Sequence, residues 1–409
     1  MSGTDKTMRV LLLAMFASSI PATLILPMLP RLGQHFDIGS AELGMLVGIY
    51  PLTSMLASPF WGRMSDRFGR KPVLVITLLA GAGAFLCFAA STSWLGLFAG
   101  RALQGLAGTP RGIGFAVASD LSDREERTAG IGAVTAAMAV GFTAGPLLGG
   151  LLMGENPDSL LGQLRALIGL EAGGFSHVLP SLFGVALNAG AALVLLLGFT
   201  ETLRPDESGS EASDKQDNSV PFRQAILQSA VLVAVLFFLL SGFIQGSLQF
   251  SFALWADLQH QWNAQQIAWA MTAIGLGFAF GSGFLLRPLV HRFGQQRTVL
   301  MGTLVDASGL LVFLLMQHSL AGALGGLFLS AMGGALWGTT ILSLLSQEIS
   351  ARDQGLAMGL ANAATLLGRV AGPILAGYLA TELSPGAPFV FMLCCVLVAA
   401  GRGLLLVRR

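Results

Sequence analysis

The stretch Gly62-Arg63-Met64-Ser65-Asp66-Arg67-Phe68-Gly69-Arg70-Lys71 separates two long apolar runs and holds one acidic residue among four cations. Arg63 and Lys71 fit cations that anchor a loop at a membrane surface. Asp66 is expected to do more than anchor the loop. A carboxylate at a helix end can cap a neighbouring helix, or pair with an arginine in one conformation only. The glycines near its two ends permit a tight turn. The stretch therefore predicts a charged turn that can switch between states.

Two short motifs occur twice along the chain at almost the same separation. Arg67-Phe68-Gly69 recurs as Arg292-Phe293-Gly294, 225 residues later, and Gly145-Pro146 recurs as Gly372-Pro373, 227 residues later. Each match alone is weak. The shared offset indicates a duplicated unit of six membrane spans.

The composition around these motifs is that of an integral membrane protein. Of 409 residues, 54% are hydrophobic and 11% are charged, and the mean hydropathy is +0.71. No soluble domain of this size has such a composition, which also excludes nucleic-acid binders, secreted disulfide scaffolds and enzymes with one anchor. Cys87, Cys394 and Cys395 lie in apolar runs and are interpreted as small buried hydrophobic residues.

Apolar runs of about 20 residues predict twelve transmembrane helices, and hence an all-α membrane protein of two pseudo-symmetric six-helix halves. The predicted spans are 9–30, 41–61, 73–91, 95–118, 128–153, 177–199, 225–251, 265–286, 298–316, 320–345, 355–380 and 387–407. The first run continues too far to be a secretory signal, so it is interpreted as a span.

The distribution of the 23 lysines and arginines predicts the orientation. Most fall in one set of loops and at the termini, which the positive-inside rule places in the cytoplasm. The opposite loops hold Arg31 and Arg165, and the spans hold Arg101, Arg111 and Arg369.

Two connections stand out from the apolar pattern. Residues 201–223 hold six acidic residues and almost no large apolar side chain, which predicts a flexible cytoplasmic linker between an N-terminal half, 1–200, and a C-terminal half, 224–409. Residues 154–176 repeat leucines at helix-like intervals. They favour an interfacial helix on the outer surface or an ordinary packed loop helix.

Three motifs in order resemble the signatures of the major facilitator superfamily. Residues 62–71 resemble its loop signature G-x-L-a-D-r-x-G-r-k, with Met64 in place of leucine. Arg101-Ala102-Leu103-Gln104-Gly105 resembles R-x-x-q-G, although the residues that follow, 107–109, depart from its small-residue tail. Residues 141–150 resemble g-x-x-x-G-P-x-x-G-G, which is characteristic of the drug:proton antiporter branch with twelve spans.

The resemblance implies a role for each motif. It implies proton coupling at Arg101, with Gln104 and Gly105 in the same motif; an ionised side chain in a span is also costly unless it is paired or faces water. For the third motif it implies control of leak and direction, whereas the spacing of the glycines also fits plain helix packing. The expected conformational switch comprises Gly62, Asp66, Arg67, Gly69 and Arg70, and the antiporter motif comprises Gly141, Gly145, Pro146, Gly149 and Gly150.

Other polar residues within spans are candidates for the substrate cavity. They are Tyr50, Arg111, Gln245, Gln249, Asn362 and Arg369. Arg111 is expected on the same helix as Arg101, where it faces the cavity or pairs with Asp120 or with carbonyl groups. Asp306 is the only acid near the middle of a span, either a proton site or half of a structural pair. Three cations in spans suit an anionic or neutral polar substrate better than a lipophilic cation.

The sequence thus predicts a proton-coupled exporter of drugs or metabolites that works by alternating access in a bacterial inner membrane. Alternatives with the same fold are export of an anionic metabolite such as a carboxylate siderophore, and nutrient uptake. An enzyme is not expected, because the five histidines are scattered without metal-ligand or nucleophile spacing. No ATP-binding loop, cofactor, metal or nucleic-acid partner is expected, and the protein is expected to be a monomer.

Overall fold

A computed structural model shows how the apolar runs become helices, which satisfy their own backbone hydrogen bonds in lipid. It describes residues 3–108, 111–122, 127–153, 163, 176–202, 229–348 and 354–407, and it does not describe the side chains of 3–4, 111, 127–129, 229–234, 342, 345–348, 354–358 and 402–407. Most of residues 154–176 and of the linker 201–223 therefore lies outside the described residues. In the described part, ten helices are long and apolar enough to cross a membrane.

The described part of the N-terminal region contains eight α-helices in chain order. They are α1 (Gly3–Leu24), α2 (Leu29–Phe36), α3 (Ser40–Phe68), α4 (Arg70–Ala89), α5 (Trp94–Leu106), α6 (Arg111–Asp120), α7 (Arg127–Leu152) and α8 (Val178–Gly198), with a short 3₁₀ turn, Leu26–Met28, before α2. Ser93 caps α5 by accepting a hydrogen bond from the Gly96 N–H at 3.3 Å.

The described part of the C-terminal region contains seven more helices. They are α9 (Ser229–His260), α10 (Ala264–Phe280), α11 (Leu286–Phe293), α12 (Gln295–Met316), α13 (Leu320–Glu348), α14 (Gln354–Glu382) and α15 (Ala387–Val407). A five-residue π-helical segment, Gly281–Leu285, joins α10 to α11 without ending the span. Asn263 and Gln266 form a capping box at the start of α10.

The prediction of one continuous helix over 95–118 is wrong. The chain leaves α5 at Leu106, and Gly108 takes a positive φ of 82° before α6 begins at Arg111. The Trp61 indole N–H donates to the Leu106 carbonyl at 2.9 Å, and Trp61 also fills the space where a side chain at 108 would lie. Pro110 has no backbone N–H, so a helix that passed through it would lose one backbone hydrogen bond. Arg101 and Arg111 consequently lie on different helices.

The described chain divides into two compact units, Met1–Phe36 with Leu52–Ser219 and Asp37–Pro51 with Val220–Arg409. The first unit is built around a buried core on α1, α4, α6, α7 and α8 that includes Leu11, Met15, Leu74, Val117 and Leu195. The first part of α3 groups with the second unit, a feature that the predicted division at the linker did not include. Glycines let the first part of α3 pack closely on α14, because Gly44 lies against the Pro373 carbonyl and Gly377 lies against the Ser40 carbonyl.

Helix pairing repeats between the units. In the first unit α1 packs on α7, and α4 packs on α5 and α8; in the second, α9 packs on α14, and α12 packs on α13 and α15. Glycine contacts bring the paired backbones together, as at Gly368, whose added Cβ would lie 2.6 Å from the Phe243 nitrogen. The same pairing order in both units is the arrangement that the duplicated motifs predict.

Candidate functional site: charge network and buried polar groups

The charged turn between α3 and α4 is organised around Arg70. Its guanidinium donates to the Asp66 carboxylate, to the Ser65 hydroxyl at 2.8 Å and to the Asp120 carboxylate on α6 at 3.2 Å. The Arg70 side chain is 12% exposed, whereas that of Asp66 is 65% exposed. One guanidinium therefore ties the end of α3 to the end of α6, and the Asp66 carboxylate remains accessible at its edge.

A second carboxylate, Glu201, caps the first turn of α4. Its two oxygens accept hydrogen bonds from the backbone N–H groups of Arg70, at 2.9 Å, and Lys71, at 3.0 Å. A negative charge at this position also complements the positive end of the helix dipole. Glu201 was predicted as the first residue of a flexible linker, and the structure instead places it in the charge network.

Gly69 is the hinge residue of this turn. Its backbone has φ 103° and ψ 154°, a conformation that is essentially restricted to glycine. A Cβ atom there would lie 2.6 Å from a Glu201 carboxylate oxygen. By contrast, the space around Gly62 is open, so its predicted close approach is not observed among the described residues.

The repeated motif adopts the same local structure in the second unit. Gly294 has φ 79° and ψ 166°, and Arg292 lies 5.5 Å from the Phe293 ring centroid, as Arg67 lies 5.2 Å from that of Phe68. The bridging group differs, because Gln295 occupies the position of Arg70 and donates to the Ser343 hydroxyl on α13 at 3.1 Å. The second unit thus holds an uncharged version of the connection.

Arg101 is buried inside the first unit, with 2% of its surface exposed. Its Nη1 donates to the Gln104 Oε1 one turn later on α5 at 2.8 Å. The Gln104 Nε2 is buried and has no hydrogen-bond partner among the described residues. Gly105 is buried beside them, so the motif predicted for proton coupling forms one polar group within the helix.

The antiporter segment forms the contact between α7 and α1. An added Cβ at Gly141 would lie 2.5 Å from the Phe16 carbonyl oxygen, and one at Gly145 would lie 2.6 Å from that of Ile20. An added Cβ at Gly149 would lie closer still to the Leu24 carbonyl oxygen, while Pro146 and Gly150 are buried in the same helix. The Thr23 hydroxyl donates to the Phe142 carbonyl at 3.0 Å and adds a polar link.

In the second unit, α9 and α14 bring together two of the predicted cavity residues. The Arg369 Nη2 donates to the Gln245 Oε1 at 2.7 Å, and the Gln245 Nε2 donates to the Ser241 hydroxyl at 3.1 Å. Gln249 and Tyr50 are half-buried, and Asn362 is exposed. The side chain of Arg111 lies outside the described residues.

Asp306 is fully buried between α12 and α13. Its carboxylate accepts hydrogen bonds from the Ser330 hydroxyl at 2.6 Å and the Trp337 indole N–H at 3.0 Å. Gly333 lies against the Asp306 backbone, which lets the two helices approach closely enough for both contacts. The partners are polar and uncharged.

The sequence analysis did not identify Glu201, Ser330 and Trp337 as partners of predicted residues, and it considered Asp120 only as a partner of Arg111, not of Arg70. Glu201 ends an apolar run, so a search for acids at span ends would have found it. Ser330 and Trp337 carry no such signal, because their partner is defined only by helix packing. No cluster of three metal-binding side chains occurs among the described residues.

Comparison with known proteins gives consistent matches along the chain. The model of the Major Facilitator Superfamily matches residues 11–260 and 236–409. The class E tetracycline resistance protein of Escherichia coli is 27% identical over 92% of this chain and 88% of its own length. Multidrug resistance protein 1 of Bacillus subtilis (strain 168) is 27% identical over 94% of this chain and 92% of its own.

Solved structures show the same fold. A bacterial homologue of the human lysosomal transporter Spinster, in an inward-facing and unoccupied conformation, aligns with a TM-score of 0.77 at 18% identity, covering 99% of this chain and 97% of that one. A D-xylose–proton symporter aligns with a TM-score of 0.76 at 17% identity, covering 98% and 97%. The matched proteins are transporters rather than enzymes, and the present protein is a multi-pass membrane protein. With a family match over nearly its whole length, the chain belongs to the Major Facilitator Superfamily.

Proposed function

We propose that this transporter is a proton-coupled exporter of small molecules in a bacterial inner membrane, with both termini in the cytoplasm. The glycine-lined contact between α7 and α1 carries this proposal, because the segment that forms it, 141–150, is the one that resembles the antiporter motif. Relatives named for resistance to tetracycline and to multiple drugs, at 27% identity, support export of a drug or metabolite. The working unit is a monomer.

The Arg70 network is the proposed conformational switch. Arg70 contacts one exposed carboxylate, Asp66, and one less exposed carboxylate, Asp120, so Asp66 can leave without breaking the link to α6. Alternating access between two six-helix halves, 1–200 and 224–409, joined by the linker 201–223, requires contacts that form in one state and break in another. Release of Asp66 supplies such a contact.

Proton coupling is assigned to Arg101 with Gln104, and to Asp306. Asp306 is a buried carboxylate in a membrane helix, and such groups mark ion and proton pathways. Taking up a proton would turn one acceptor into a donor and weaken its hydrogen bond from Ser330 or Trp337. That change would alter the contact between α12 and α13.

The Asp306 assignment can be tested by separating proton-driven transport from exchange. In proteoliposomes, Asp306→Asn should abolish transport driven by a pH gradient but retain substrate exchange without a gradient. Ser330→Ala, which keeps the carboxylate, should retain driven transport. If Asp306→Asn keeps proton-driven transport, Asp306 is only a structural partner of α13.

A second candidate function is export of an anionic metabolite. The Arg369 guanidinium in α14 is oriented by Gln245, which Ser241 holds in turn, and a fixed guanidinium matches a carboxylate geometrically. Under this proposal Arg369→Gln should weaken the transport of anions by about tenfold and leave cation transport unchanged. Equal effects on both classes would contradict it.

Proton release from acidified everted vesicles is the direct test of proton-coupled export. Tetracycline, lipophilic cations and anionic chelators would be added one at a time to vesicles that hold wild type or Arg101→Ala. Release caused by cations supports drug export, and release caused only by anions supports the second candidate. No release with any compound, despite correct insertion, would contradict proton-coupled export of these classes.

A further inference from the structure

The helix formed by α10, the π-helical segment and α11 extends beyond the thickness of a bilayer core. It spans Ala264–Phe293, 30 residues, and is followed at once by a second candidate span, Gln295–Met316. At about 1.5 Å per residue it is roughly 45 Å long, against about 30 Å of hydrocarbon. The last turns of α11 and the turn at Gly294 therefore lie at the depth of the lipid headgroups.

This end of the helix carries an exposed set of basic side chains, here called the basic surface. It consists of Arg287, His291, Arg292 and Arg297, and all four are exposed. Residues 284–298 contain no acidic residue. Within the described residues, none of the four forms an ion pair, and the Arg292 guanidinium lies over the ring of its neighbour Phe293, 5.5 Å from the centroid.

In the first unit, the arginine at the corresponding turn pairs with carboxylates of the same unit. There Arg70 binds the carboxylates of Asp66 and Asp120. In the second copy of the motif, His291 and Gln295 occupy the positions of Asp66 and Arg70, so neither that acid nor that ion pair is present. Among the described residues, no acidic side chain pairs with the basic surface, whose exposed side chains present positive charge outward.

An exposed apolar face leads along the same helix to the basic surface. Leu276, Phe280 and Phe284 follow one another at intervals of four residues and are 56%, 42% and 72% exposed. The rings of Phe280 and Phe284 are stacked, with centroids 5.6 Å apart. In a membrane helix, exposed side chains of this type face lipid chains.

We propose that the basic surface binds the headgroup of an anionic phospholipid of the surrounding bilayer, with an acyl chain along Leu276, Phe280 and Phe284. Arginines pair with phosphate through charge-assisted hydrogen bonds, and each cation near an anionic membrane surface adds to the attraction. The apolar face supplies contacts that a free phosphate ion cannot make. Together they favour a phospholipid over a soluble anion.

Titration of the purified full-length protein with phosphatidylglycerol or phosphatidylcholine, read out by thermal unfolding and by native mass spectrometry of retained lipid, tests this binding. Phosphatidylglycerol should raise the unfolding temperature more than phosphatidylcholine, and inorganic phosphate should not raise it. The double variant Arg287→Gln/Arg292→Gln should bind phosphatidylglycerol roughly tenfold more weakly. Phe284→Ala, which keeps every cation, should also reduce retention.

The matched control is Arg63→Gln/Lys71→Gln, which removes the same charge from the first copy of the motif and should retain phosphatidylglycerol. Equal loss in both double variants would show diffuse attraction and overturn the proposal. Equal binding of the two lipids by wild type would overturn it as well. A response to inorganic phosphate as large as that to the lipid would show an anion site without lipid.

Discussion

At the scale of single residues, two glycines share one backbone conformation, but replacing them should destabilise the protein by different amounts. Gly69 and Gly294 have the same restricted conformation, but only Gly69 faces a neighbour, the Glu201 carboxylate. Gly69→Ala should lower the free energy of unfolding by about 1–3 kcal/mol for the backbone and further for the displaced cap. Gly294→Ala should show the backbone cost alone. Thermal unfolding of both variants checks this, and an equal loss would contradict the role of Glu201.

His177 gives a prediction for pH. It is buried just before α8, against the rings of Phe36 and Phe88. Burial lowers the pKa of its imidazole, and the nearby His35 lowers it further. The unfolded chain takes up a proton near pH 6.5, whereas the folded protein does so only at lower pH. The contribution of His177 to the free energy of unfolding is therefore fully present above about pH 6.5 and is lost as the pH falls below that value.

The measurement is the unfolding temperature at pH 8 and pH 5. His177→Gln should show a smaller decrease on acidification than wild type. His318→Gln, at an exposed histidine, is the control and should match wild type. An unchanged decrease in His177→Gln would assign the effect to other groups.

At the scale of helices, the glycines of α7 define a prediction about close packing. A leucine at 145 would meet the α1 backbone at Ile20 and the Thr23 side chain, so Gly145→Leu should separate the helices and cost more than about 1–3 kcal/mol. Gly132→Leu is a control of the same size on α7, with open space around the glycine. We expect transport to be lost in the first variant and kept in the second. Normal transport by Gly145→Leu would reduce the motif to ordinary packing.

At the scale of the whole molecule, the proposed exporter should be driven by a proton gradient and not by ATP. In everted vesicles, substrate uptake under an imposed pH gradient should stop when a protonophore is added and should not require ATP. Asp66→Asn and Arg101→Ala should each abolish this uptake while membrane insertion, measured by the amount of protein in the vesicles, stays normal. Uptake in either variant at the wild-type rate would remove that residue from the mechanism.

The sequence by itself determined the membrane class, most of the spans and the family, because these depend on local properties. An apolar run long enough to cross lipid forms a helix wherever it packs, and the motifs at 62–71 and 141–150 are read without tertiary contacts. The family match supports that assignment. The sequence pattern failed at 95–118, where Trp61 packs at Gly108 and only the three-dimensional contact shows that the helix ends.

Only the tertiary structure decided which polar residues meet. Arg70 joins Asp66 to Asp120, Glu201 caps α4, Arg369 binds Gln245, and Asp306 binds Ser330 and Trp337. Most of these partners are far apart in the chain, and a hydrogen bond requires atoms within about 3 Å. Helix packing through glycines sets those distances, so the pairing is a property of the folded units and not of any local pattern.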